Sequence, residues 1–171
     1  MLVKALSFSF SHQNKAAIGK LLVVGLILIA GVLLITACSS ESDLEQPPDI
    51  RYGEDVCDRC MMIINEARYA TALVTSAGET RRFDDIGGML RYDKEMEDEV
   101  AVYWVHDYET EEWLKADNAY FVTNTGLHTP MGFGIIAFTT LERAESWAEN
   151  EGGMVMDFSA LRSASANEED F

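Results

Sequence analysis

Four sulfur atoms fall within six consecutive positions, Cys57-Asp58-Arg59-Cys60-Met61-Met62. Soft sulfur donors select soft cations, and Cu(I) is the foremost of these. A thiolate contributes charge and strength to such a site. A thioether stays neutral and loses no proton, so it holds the ion loosely enough to release it. Cys60 and Met62 are two residues apart; in extended backbone both side chains point the same way and both sulfurs can reach one ion.

Other chemistries fit the same residues. Cys57 and Cys60 could close a disulfide or exchange one, since Cys-x-x-Cys spacing suits thiol–disulfide oxidoreductases. The motif, however, precedes a strand and does not open a helix, unlike thioredoxin-like sites. Structural zinc wants four ligands, usually with a second Cys or His pair, and the sequence offers no such pair. Met61 and Met62 could be core filler.

Met131 is a possible third sulfur. It sits in His128-Thr129-Pro130-Met131-Gly132, a Gly- and Pro-marked loop between strands, where a large apolar side chain is either tucked inwards or presented for a purpose. His128 offers a nitrogen ligand or is a surface histidine, and His106, beside Asp107 at a strand end, reads as structural. The pair Asp84-Asp85 could serve acid–base chemistry, but its place before a helix gives it the simpler task of capping. No nucleophile–His–acid arrangement and no Walker A, GxGxxG, GxSxG or HExxH pattern is present, so nothing argues for catalysis.

The elements that must position these residues form one pattern used twice. Residues 69–75 alternate as a half-buried strand, 76–79 make a turn, and 80–83 form a second strand. Asp84 or Asp85 then caps a helix to about Lys94, and 99–105 form a third strand with Val100, Val102 and Trp104 on one face. In the second half 113–116 and 119–123 are strand-like, and 134–138 is a strand. Thr139-Thr140-Leu141-Glu142 reads as a capping box, with Thr139 as cap and Glu142 reaching back. That helix ends before Gly152-Gly153, and 154–158 is the closing strand. The expected fold is a single α+β domain of two β-β-α-β halves, spanning residues 53–161.

The ends differ in character. Lys4, Lys15 and Lys20 precede an apolar run over 21–35 that stops at Ile35-Thr36-Ala37-Cys38. Residues 1–37 therefore read as an export signal, and the run is shorter than the roughly 20 residues a bilayer core needs. The exit resembles the lipobox of bacterial lipoproteins, which makes Cys38 the lipidated residue; a plain anchor helix is the alternative. Either places the domain outside the cytoplasm. Residues 38–52 are Ser-, Glu-, Asp- and Pro-rich and read as a flexible tether, and 162–171 as an acidic tail. All 29 acidic residues follow Cys38 but only ten of the 13 basic ones do, so the remainder carries a charge of −19. That balance excludes nucleic acid as a partner, which needs a basic footprint.

Several segments in order resemble the nitrous oxide reductase accessory lipoproteins, the NosL family. They are the lipobox at Cys38, Cys60-Met61-Met62-Ile63-Ile64 as the family's Cys-x-Met-x-Ile, Arg82-Phe83-Asp84-Asp85-Ile86-Gly87, Thr129-Pro130-Met131-Gly132 with 135–138, and Gly152-Gly153-Met154-Val155. The resemblance covers roughly residues 53–161 and implies a paired ββαβ fold. It also implies an extracytoplasmic, membrane-anchored metallochaperone for one Cu(I) ion, with nitrous oxide reductase or its maturation complex as partner. Carried over by position, Cys60 and Met62 are the metal-binding pair and Met131 a third ligand, with His128 as alternative. The chain departs from the family at Gly88, where many members have cysteine, and at Cys57, an extra thiol. Cys57 would add a ligand or disable Cys60 as a disulfide. The rival function is a membrane-anchored oxidoreductase using Cys57 and Cys60.

Overall fold

The computed structural model describes residues 44–96 and 99–167. The readings made for the leader and for Cys38 lie outside these residues. Among the described residues no helix is long and apolar enough to cross a membrane.

Strand β1 (Thr71–Thr75) turns through Gly78, at φ 84°, into the antiparallel β2 (Thr80–Phe83). Helix α1 (Ile86–Met96) follows after only Asp84 and Asp85. Ile86, Met89 and Leu90 recur at spacings of three and four, which puts their side chains on one buried face. Strand β3 (Val100–His106) returns antiparallel to β1, and β4 (Trp113–Lys115) joins its far edge, giving the order β2-β1-β3-β4. A single 3-10 turn (Ala116–Asn118) leads into the second half: β5 (Tyr120–Thr123), β6 (Ile135–Phe138), α2 (Leu141–Glu151) and β7 (Met154–Asp157). Its sheet runs β6-β5-β7, all antiparallel, the same order as β2-β1-β3. The α+β architecture of two β-β-α-β halves is thus present.

The main core gathers the inner faces of both sheets with α1. Leu73, Phe83, Tyr103 and Val105 of the first sheet meet Phe121, Ile135 and Ala137 of the second. Burying side chains of this size contributes about 1.5–3 kcal/mol each. Val122, Ile136 and Phe138 face the other way and pack with Ala144 and Trp147 of α2. On the first sheet, Ala72, Val74, Val102 and Trp104 form a separate outer cluster. Val100 was expected on the face of Val102 and Trp104 but packs against the main core. The cause is a register shift opposite Val74/Thr75, which inserts one residue and reverses the alternation.

The described residues pack beyond the limits expected for the domain at both its ends. Leu44 lies against the outer cluster, Lys115 pairs with Glu45 at 2.8 Å, and Ile50 is buried, so the segment read as a tether up to residue 52 is docked from Leu44 onwards. Phe158 does not end a strand. It opens a third helix, α3 (Phe158–Asn167), whose Phe158 and Leu161 enter the main core. Asp157 starts this helix by accepting from Ala160 N at 2.7 Å, and Arg162 pairs with Asp93 of α1 at 2.9 Å. The acidic tail expected from residue 162 is therefore helical as far as Asn167.

The two helix starts correct the expected capping box. Thr140, not Thr139, caps α2 by accepting from Arg143 N. Thr139 is held instead by the buried Asp107, to which it donates both N–H, at 2.8 Å, and O–H, at 2.6 Å. At the equivalent place in the first half Asp85 caps α1, accepting from Gly88 N at 2.7 Å. In each half the second residue after the strand caps the helix, and the first is left for another task.

Candidate metal centre

The sulfur-rich segment forms a tight hairpin-like turn. Val56 and Ile63 bridge antiparallel, Cys57 N donates to Met62 O at 2.8 Å, and Met61 N donates to Cys57 O at 3.0 Å. Closing so short a loop requires left-handed backbone at Met61, φ 63°, which a residue with a Cβ rarely adopts. Extended backbone between Cys60 and Met62 was the expectation, and the turn replaces it. Cys60 points inwards, while Met61 and Met62 are exposed. Asp58 ties the turn to the edge of β2: its N–H donates to Arg82 O at 2.8 Å and its Oδ2 accepts from Arg82 N at 2.6 Å.

Cys57 and Cys60 are both free thiols. Their sulfurs and a carboxylate oxygen of Asp84 all lie within 4.8 Å of one another, and Cys60 Sγ donates to Asp84 Oδ2 at 3.2 Å. Asp84 is almost fully buried, yet its Oδ1 accepts no hydrogen bond among the described residues. A buried carboxylate oxygen without a donor is costly unless a cation or a proton arrives. Asp84 was read from the sequence as one of two possible caps; only Asp85 caps, and that division of labour is what places Asp84 at the thiols.

Desolvation pushes the Cys60 thiol up to about 12. The Met62 backbone N–H opposes that rise, and Cys57 and Asp84 add to it. Cys60 thus rests as a thiol with its proton shared towards Asp84. An attacking redox cysteine needs the reverse, a thiol lowered by a helix N-terminus or a cationic neighbour. No helix begins at this turn.

The 129–133 loop arrives at the same place because Asp85 holds it. Asp85 Oδ2 accepts from Thr129 Oγ1 at 2.8 Å and from Met131 N at 2.9 Å, while its Oδ1 caps α1. Burial raises the pKa of this carboxyl; the Gly88, Thr129 and Met131 donors oppose the rise and Asp84 adds to it. Phe133 lies so close to Gly87 that a Cβ there would fall 2.1 Å from its ring, so only glycine lets the loop seat on α1. Above Gly88 the Met131 Cγ and Asp84 Oδ1 converge, lying 3.7 and 3.8 Å from the point a Cβ would occupy. The missing Cβ at Gly88 therefore faces these two groups.

An open cleft of about 520 Å³ beside the thiols is lined by Met61, Met62, Ile63, Asp84 and Pro130, among others. Of the residues singled out from sequence, the structure brings Cys57 and Cys60 together around Asp84, sets Met62 on the cleft that Asp84 also lines, and sets Met131 beside Asp84 at Gly88. His128 is exposed and stands outside the thiol–carboxylate cluster. His106 is buried between Ala70 O, at 2.7 Å from Nδ1, and Tyr52 Oη, at 3.1 Å from Nε2, far from any open site in its bonding.

No curated protein matches the sequence. A solved structure matches the fold: the crystal structure of the copper chaperone NosL from Shewanella denitrificans, with a TM-score of 0.61 and 23% sequence identity, over 67% of this chain and 93% of that one. The family model described as NosL matches residues 51–166, well over half of the 171 residues. The chain belongs to the NosL family.

Proposed function

We propose that this protein is an extracytoplasmic Cu(I) carrier, anchored through lipid on Cys38, that passes copper to nitrous oxide reductase or its maturation complex. Membership of the NosL family and the fold shared with a copper chaperone support a carrier rather than an enzyme. The observation that carries the reading is the Cys60–Asp84 contact, with Met62 on the cleft that Asp84 also lines and the Met131 side chain beside Asp84 at Gly88, so that two distant stretches of chain border one carboxylate. Cu(I) replaces the proton on Cys60, Met62 supplies a thioether from the cleft side, and Met131 closes a three-coordinate site. His128 is the weaker alternative because it lies outside the cluster. Asp84 balances the charge of the ion through the carboxylate whose Oδ2 otherwise accepts from the Cys60 thiol.

Release follows from exposure. Met62 lies at the open cleft, so an incoming sulfur or nitrogen from a partner can displace a neutral thioether without first opening the fold. The copper then changes hands without going free. The test is competition for Cu(I) between the reduced protein and a cuprous chelator. The Cys60→Ser, Met62→Ala double variant is expected to bind at least about a hundredfold more weakly, since even the loss of an outer-shell partner costs up to about that much; equal affinity contradicts the site.

A further inference from the structure

We infer that Cys57 is a second thiolate ligand, so that the turn holds copper between two thiolates in place of one. The inference rests on the copper-carrier reading and names a ligand beyond the Cys60–Met62 pair.

The backbone of the turn is shaped around both sulfurs. Cys60 N–H points at Cys57 Sγ, 3.5 Å away, and the Met62 N–H acts on the Cys60 sulfur. Both sulfurs thus lie on the inner side of the turn, each facing a backbone N–H. Cys57 is fully buried, and its sulfur, the Cys60 sulfur and an Asp84 oxygen lie within 4.8 Å of one another. The left-handed Met61 folds the chain back after Cys60, so that Met62 O accepts from Cys57 N at 2.8 Å and the turn closes over the two sulfurs, which lie within 4.8 Å of each other. The unpartnered Asp84 Oδ1 adds a buried polar atom beside the sulfurs, as expected where an ion is to be received. On loading, each thiol loses its proton to Asp84 or solvent and each sulfur lone pair bonds to the same Cu(I); nothing is oxidised or reduced.

The test uses the full-length protein, kept fully reduced, as wild type, Cys57→Ser and Cys60→Ser. Competition against a cuprous chelator is expected to show both single variants weaker by at least about thirtyfold, as for loss of a charged ligand. Cys57→Ser within about threefold of wild type overturns the inference. Because a serine at so buried a site can disturb the fold, the ultraviolet thiolate-to-copper absorption of Cys60→Ser at saturating Cu(I) is a second readout. It is expected to keep about half of the wild-type intensity per ion, the share of one thiolate of two; its complete loss leaves Cys60 as the single thiolate and overturns the inference. Wild type that ignores Cu(I) altogether would instead overturn the copper reading on which this one stands.

Discussion

Cys60 Sγ donates to Asp84 Oδ2 at 3.2 Å, although the two residues are 24 positions apart and Asp84 stands where its counterpart in the second half, Thr139, serves a purely structural bond. This contact makes a helix-start residue part of the proposed metal centre. It gives the resting thiol a proton acceptor and places a negative charge beside any cation that replaces the proton. Asp84→Asn keeps the shape and removes the charge. Its Cu(I) affinity is expected to fall about tenfold, near 1.4 kcal/mol, in line with charge-assisted contacts, with little change in thermal unfolding. Chelator competition together with a melting curve checks both halves of that expectation.

Copper affinity should depend steeply on pH. Burial holds the Cys60 thiol at about 12, so it is protonated throughout the working range and Cu(I) must displace a proton to bind. Each proton released raises the apparent affinity about tenfold per pH unit. Affinity is therefore expected to climb by at least that factor per unit between pH 6 and pH 8, measured by competition at fixed chelator occupancy. A flat profile would mean that no thiol proton leaves.

Asp85 is the residue on which the two stretches depend. Its carboxylate accepts from Gly88 N, Thr129 Oγ1 and Met131 N, joining the start of α1 to the 129–133 loop. Asp85→Ala strands three donors, two of them on a loop that then keeps only the packing of Phe133 against α1. A loss of about 2–4 kcal/mol in unfolding free energy is expected, read from chemical denaturation. Copper affinity should fall as well, since Met131 loses the bond that holds its backbone.

A separate acid-sensitive post, Asp107 after β3, ties the first half to Thr139 of the second. Burial works against ionising Asp107, but Thr139 O–H and N–H and the N–H groups of Thr110 and Glu109 outweigh it and hold the carboxyl at about 2. A carboxyl lowered on folding contributes stability that is complete above the unfolded value near 3.9 and is lost as pH falls through the folded one. Wild type should therefore lose stability between about pH 4 and pH 2, and Asp107→Asn should flatten that part of the profile. Urea midpoints across the range measure it.

Much of the fold was legible because its punctuation is strong. Gly78 marks the first hairpin, Gly152 ends α2 at φ 84°, and the alternation read over 69–75 and the short apolar run at 135–138 each give a strand. Helix α3 was not legible. Its Phe158–Asn167 sequence is mostly Ser and Ala, and its cap, Asp157, is also the last residue of β7. The capping signal was there, but a strand-like run concealed it. At the site, the sulfur residues announced themselves by type. Asp84 did not, since nothing in the pair Asp84-Asp85 says which one caps until the 129–133 loop is seen to occupy Asp85. Likewise His128 and Met131 share one loop, and only the Asp85 bond to Met131 N shows which of them is brought to α1.

The most direct measurement is X-ray absorption at the copper K edge on the reduced protein loaded with one equivalent of Cu(I). A first shell dominated by sulfur, reduced by one scatterer in Met131→Ala, is the predicted result. A shell of nitrogen and oxygen, or one that Met131→Ala leaves unchanged, would contradict the convergence of the two stretches on one ion.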